Sequence, residues 1–152
     1  MAVTPVTTAQ QRAVSVLVVA RRVEQVPPDP ARAAVFLVSA ADRIGQLSLL
    51  TSIGVKDDIA YDSAHDVGEA LLAAHGYRTS NGPGQHEALG RFLRAVFDAP
   101  PGDRAARRFD PIRRGRNQGR YEANPVGAAD AALAERVAVE LREAAVVRGV
   151  GT

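Results

Sequence analysis

Apolar residues along this chain return every three or four positions, the repeat of a helix that buries one face. Nowhere do they alternate over a useful length as a strand would. Thr7 or Thr8 is expected to cap a first helix reaching about Gln25, with Val14, Leu17, Val18 and Arg21 in succession on one face. Val26-Pro27-Pro28-Asp29-Pro30 stops it, because proline lacks an amide donor and restricts the residue before it. Asp29 then serves as N-cap and Pro30 as first position of a second helix. Its stripe runs Ala33, Phe36, Leu37, Ala40, Ala41, Ile44, Leu47 and Leu50, and it breaks near Gly54. A third helix reads from about Val55 to His75, with Ile59, Ala60, Ala64, Val67, Ala70, Leu71 and Ala74 inward and its acids opposite. Gly76 stands where a left-handed cap is expected.

Residues 77–84 read as a loop, 85–97 as a short helix burying Leu89, Phe92, Leu93 and Val96, and 98–103 as another loop. A helical turn over 104–109 is followed by a fresh start at Asp110-Pro111. The resulting basic helix runs to about Ala123, where Asn124-Pro125 ends it. Residues 128–148 form the last amphipathic helix, with Leu133, Val137 and Leu141 spaced by four. The expectation is an all-α, antiparallel helical bundle of about five to six helices, one domain over 1–152. The helix within 1–28 is either part of its core or an added element.

Composition changes this picture little. A chain of 152 residues with 46% hydrophobic and 24% charged residues can bury a core of its own. It has no cysteine, so disulfide and thiolate chemistry are excluded. The apolar run 13–20 is shorter than the ~18 residues that span a bilayer. It has no positive segment before it and Arg21-Arg22 behind it, so neither a signal peptide nor a membrane partner is expected and the default location is cytoplasmic.

Charge changes it more. The net charge is +2, but seven arginines and one carboxylate, Asp110, lie between Arg104 and Arg120. The stretch from Lys56 to Glu69 carries Asp57, Asp58, Asp62, Asp66 and Glu69 against one lysine. Such polarity points to an anionic partner at one face. On a helix, Arg113, Arg116, Asn117, Arg120 and Tyr121 share a stripe, with Arg114 beside it. Guanidinium groups bind phosphate bidentately, an amide can fix a base or ribose hydroxyl, and a phenol can stack or donate. That set suits RNA or a nucleotide; it is equally the composition of a solvated arginine-rich face.

Two segments carry a resemblance. Tyr61-Asp62-Ser63-Ala64-His65-Asp66-Val67-Gly68-Glu69-Ala70-Leu71-Leu72-Ala73-Ala74-His75-Gly76-Tyr77-Arg78, with Gln85-His86-Glu87-Ala88-Leu89 after a polar loop, resembles the middle of HEPN-domain proteins. Arg113-Arg114-Gly115-Arg116-Asn117-Gln118-Gly119-Arg120-Tyr121 resembles their signature, an arginine and a polar residue followed by a histidine after four to six positions. The resemblance covers about 30–148. It implies a helical bundle that forms a homodimer and brings two signatures into one cleft. It also implies a metal-independent endoribonuclease of a toxin–antitoxin or defence system, or a non-catalytic partner of a nucleotidyltransferase. No cofactor is implied.

Carried onto this chain, the signature arginine is Arg116, its polar neighbour Asn117, and the histidine's place is taken by Tyr121. Arg113, Arg114 and Arg120 would assist phosphate binding. Histidine titrates near neutrality, whereas tyrosine, with an ordinary pKa of ~10, is a poor base. The resemblance therefore implies RNA or nucleotide binding with weak or lost cleavage. The alternative is a non-catalytic dimerisation or interaction module, an antitoxin or scaffold partner, in which Arg116 and Asn117 are structural. A third reading makes Tyr121 the acceptor of a nucleotidyl group.

Other residues are weighed beside these. Asp62, His65 and Glu69 share a helix face and could hold a metal, or His65 packs while the acids face water; no metal is expected. His75 is expected to interact with the dipole at its helix C-terminus. His86 is expected to be exposed, unless the loop before it folds over the basic helix. Tyr61 is expected to be a core or interface aromatic.

Overall fold

The computed structural model describes residues 2–121, 123 and 125–151, without the side chains of Arg120 and Tyr121. Among them are six α-helices, α1 (Thr8–Val19), α2 (Pro30–Gln46), α3 (Ile53–His75), α4 (Gln85–Val96), α5 (Asp103–Tyr121) and α6 (Ala128–Val147), and two short strands, β1 (Val23–Gln25) and β2 (Tyr77–Thr79). The protein is an all-α helical bundle. The capping chemistry sets the first three starts. The Thr7 hydroxyl accepts from the Gln10 amide at 3.1 Å while the Gln10 side chain accepts from the Thr7 amide at 2.9 Å, satisfying two donors that a helix start leaves free. Asp29 accepts from the Arg32 amide at 2.9 Å ahead of Pro30, and Ser52 accepts from the Val55 amide at 3.3 Å.

The central element is α3. It packs along α2 and α6 and also touches α4 and α5, so it is buried on several sides and carries no single apolar stripe. That overturns the expectation that its acids all lie opposite the core: Asp57 and Asp66 are buried at 4% and 8% exposure. Burial raises both carboxyls above their usual range, although Arg43, which pairs with Asp66, and Arg116, which acts on Asp57, pull the other way. The Ser63 hydroxyl donates to the Ala40 carbonyl of α2 at 2.9 Å. Gly68 lets α4 come close: a Cβ there would meet Leu89 at 2.8 Å.

Other expectations need correction. The first helix ends at Val19 rather than Gln25, and the residues after it form β1, which pairs antiparallel with β2 with Glu24 opposite Arg78. Those two side chains bond at 2.7 Å. Three-residue strands are too short to show an alternation. The turn at 104–109 and the basic helix are one element, α5, with Pro111 inside it. A proline there removes one ladder bond and costs about 3 kcal/mol. Burial of Ala105, Ala106, Phe109 and Ile112 along the same helix offsets that cost. The expected Asn124 stop lies outside the described residues.

Gly76 ends α3 in the left-handed region, at φ 81°. A Cβ at this position would lie 2.7 Å from the Val26 carbonyl oxygen and 3.1 Å from the Pro28 ring. Gly76→Ala is therefore expected to lose about 2 kcal/mol, since both the conformation and the contact disfavour a side chain. An unchanged urea midpoint would contradict this.

Candidate functional site

The side chains that bear chemistry gather where α3, α4 and α5 meet. Tyr61, Asp62 and His65 come from α3, on one face by their spacing of three and four. His86 comes from the first turn of α4, and Arg113 and Arg116 from α5. The Arg116 guanidinium carbon lies 4.8 Å from the centre of the Tyr61 ring, a cation–π geometry. Its Nε is 3.4 Å from Asp58 Oδ1 and its outer nitrogen 3.4 Å from Asp62 Oδ1, and the side chain is only 13% exposed. Arg113 and Arg114 both turn back to Asp110, at 2.8 and 2.9 Å.

The expected basic face is thus largely neutralised within the chain. Arg113, Arg114 and Arg116 face Asp110, Asp58 and Asp62. Sequence alone shows the two charged stretches but not that α3 supplies counter-ions to α5. Arg116 therefore anchors α5 to α3 as well as carrying charge. Asn117 follows it half-buried, while Arg114 is exposed. The side chains of Arg120 and Tyr121, two of the six expected site residues, lie outside the described residues.

Beside Arg116 the structure brings together three groups that the sequence did not connect. The Tyr61 ring is buried at 1% exposure and its hydroxyl is 2.6 Å from His86 Nδ1. The His65 and His86 rings lie 4.4 Å apart, centre to centre, and the Phe109 ring is 5.5 Å from Tyr61 on another side. His86 is exposed, as expected, yet it is also fixed by a buried phenol. The one signal in the sequence was the four-residue spacing of Tyr61 and His65. His86 joins them only through the packing of α4 on α3.

Electrostatics set the protonation states. Burial, together with the charges of His86, Arg116 and Arg43, pushes the His65 imidazole down to about 4. His65 is then neutral at pH 7, and its 3.9 Å approach to Glu69 is not an ion pair. Burial and the charges of Arg116 and Arg113 also lower His86, against a smaller opposite pull from Asp62. Burial raises the Tyr61 phenol above its usual range, more than Arg116 and Arg113 lower it, so it stays protonated. Among the described residues no group of three or more histidines and carboxylates is arranged to hold a metal ion.

His75 does not follow its expected role. Burial and Arg148 push it down to about 4, so it carries no charge for the helix dipole at neutral pH. Its Nε2 instead accepts from Arg148 Nε at 3.0 Å. Among the described residues no helix is long and apolar enough to cross a membrane. Comparison of the chain with protein-family models, with curated proteins and with solved structures finds no match.

Proposed function

We propose that this chain is an RNA-directed helical protein of the HEPN type, acting as a homodimer in a toxin–antitoxin or defence setting. The observation that carries this reading is the convergence of Arg116, Tyr61, His65 and His86 at one place on the fold. A scaffold without a ligand gains little from placing two imidazoles, a phenol and a guanidinium together. The resemblance of 61–89 and 113–121 to HEPN proteins supports the same place, since both segments border it. Arg116 and Asn117 would face the substrate from α5, with Tyr121 near the helix end and Arg113, Arg114 and Arg120 assisting.

A second reading has its own observation. Because Arg113, Arg114 and Arg116 are paired with carboxylates, they also fit a non-catalytic interaction module, an antitoxin or scaffold partner, in which these pairs stiffen the α3–α5 contact. The two readings differ in binding. For the first, fluorescence anisotropy with labelled tRNA and mRNA in EDTA should give an affinity that falls with salt. The slope should be shallow, because phosphate must displace Asp58, Asp62 or Asp110 from the arginines. Arg116→Ala should weaken binding about tenfold or more. Negligible RNA binding, with Arg116→Ala shifting only the dimer equilibrium in light scattering, would establish the second reading instead.

A further inference from the structure

Tyr121 stands where the HEPN signature has its histidine, and a phenol of ordinary pKa is a poor base. The fold supplies imidazoles from elsewhere. His86 lies at the surface on the first turn of α4, with its Nδ1 held 2.6 Å from the Tyr61 hydroxyl. Tyr61 itself is immobilised: it is 1% exposed, lies under the Arg116 guanidinium and packs against Phe109. The second imidazole, His65, lies against the first at 4.4 Å. The other ring nitrogen of His86, Nε2, takes no part in that contact, and the residue that carries it is exposed.

We infer that His86 is the general base of an RNA phosphodiester transesterification at this site, with Tyr61 as its positioning residue. This rests on the RNA-directed reading above. A hydroxyl can accept as well as donate, so the Tyr61 oxygen can take a hydrogen bond from Nδ1–H. That tautomer puts the lone pair on Nε2. Imidazolium formation then keeps the same Nδ1–H bond, so the base gains its proton without losing its support. Because His86 is neutral at pH 7, the lone pair is available without prior deprotonation.

In the reaction, the ribose 2′-oxygen bonds to phosphorus as its proton passes to His86 Nε2. The bond from phosphorus to the 5′-oxygen breaks with its electron pair on that oxygen, which takes a proton from water. The hydroxide so formed receives the proton that His86 then releases. The products are a 2′,3′-cyclic phosphate and a free 5′-hydroxyl. The charged and titratable groups around His86 are Asp62, His65 and Tyr61 on α3 and Arg113 and Arg116 on α5. The arginine charges are placed to favour the additional negative charge of the phosphorane.

The test uses the full chain, single-stranded RNA and the matching DNA, all in EDTA, with binding followed by anisotropy and cleavage by gel and mass spectrometry. Wild type should bind both and cleave only RNA, leaving cyclic phosphate ends. His86→Gln should bind RNA within about twofold of wild type and cleave at least a hundredfold more slowly, in the range usual for loss of a general base. Tyr61→Phe, which keeps the ring and removes only the hydroxyl, should lower kcat about tenfold with KM unchanged, an effect that a merely structural phenol would not confine to kcat. RNA binding without cleavage, or cleavage unaffected by His86→Gln, overturns this inference and leaves the RNA-directed reading standing. Absence of RNA binding overturns both.

Discussion

Acidification from pH 7.5 to 5 should cost this protein about 4 kcal/mol of folding stability, roughly 2 kcal/mol from each of two histidines. His65 and His75 both sit near 4 in the folded chain against 6.5 when exposed. The folded values are lowered, so between these limits the unfolded chain binds more protons. Stability is therefore complete above 6.5 and is lost as the pH falls towards 4. The structure shows where the loss is felt. The His75 acceptor of the Arg148 bond is the nitrogen that a proton would occupy, and the new charge would face a guanidinium. Arg148 also reaches Gln10, which in turn donates to Asp98, so this one contact ties the ends of α3 and α6 to α1 and to the residue beyond α4. The raised carboxyls of Asp57, Asp66 and Glu69 act in the opposite sense and offset part of the loss at the acid end. The steepest fall is thus expected between 6.5 and 5. Urea midpoints measured across that range check it, and His75→Gln, which retains an acceptor, should remove about half of the slope. A flat profile would show that the two imidazoles are not held neutral by the fold.

What the sequence disclosed of this fold follows from what each signal depends on. Caps and breakers act locally, so Asp29-Pro30, Gly76 and the helix over 85–96 were legible from a few neighbouring residues. The paired strands were not, because three residues carry no period and their pairing joins segments more than fifty positions apart. Pro111 misled for a related reason. Its local effect is to end a helix, and only the burial of Phe109 and Ile112 on either side lets α5 continue through it. In the candidate site, the arginine stripe was visible as composition, but its neutralisation by Asp58 and Asp62 is a contact between two helices. The histidine pair was hidden more deeply. His65 and His86 lie on different helices with a β-strand and a loop between, so nothing periodic relates them. The packing of α4 on α3, close where Gly68 lies under Leu89, brings them together.

Phe109 is where core and site meet, and Phe109→Ala should lose about 3–5 kcal/mol, the usual range for emptying a buried phenylalanine position. The residue is fully buried on α5. Its Cδ1 lies 2.9 Å from where a Cβ of Gly90 would be, so α4 and α5 approach as closely as this ring allows. On another side its ring packs on Tyr61 at 5.5 Å, adding an aromatic pair of about 1 kcal/mol to the burial. Neither neighbouring helix can collapse freely into the space, since Gly90 has no side chain to fill it and Tyr61 is held by His86 and Arg116. The loss should therefore fall in the upper part of the range. It should also reach the site, because α5 already bears the cost of Pro111 and loses the packing that offsets it two turns before Arg116. Circular dichroism at 222 nm in urea measures the first effect, and the near-ultraviolet tyrosine signal the second. Phe109→Leu, which fills most of the volume, should restore much of the stability and less of the tyrosine signal. A loss below about 1 kcal/mol for Phe109→Ala would mean that α4 and α5 close over the gap, and that the floor beneath Tyr61 is not what fixes the cluster.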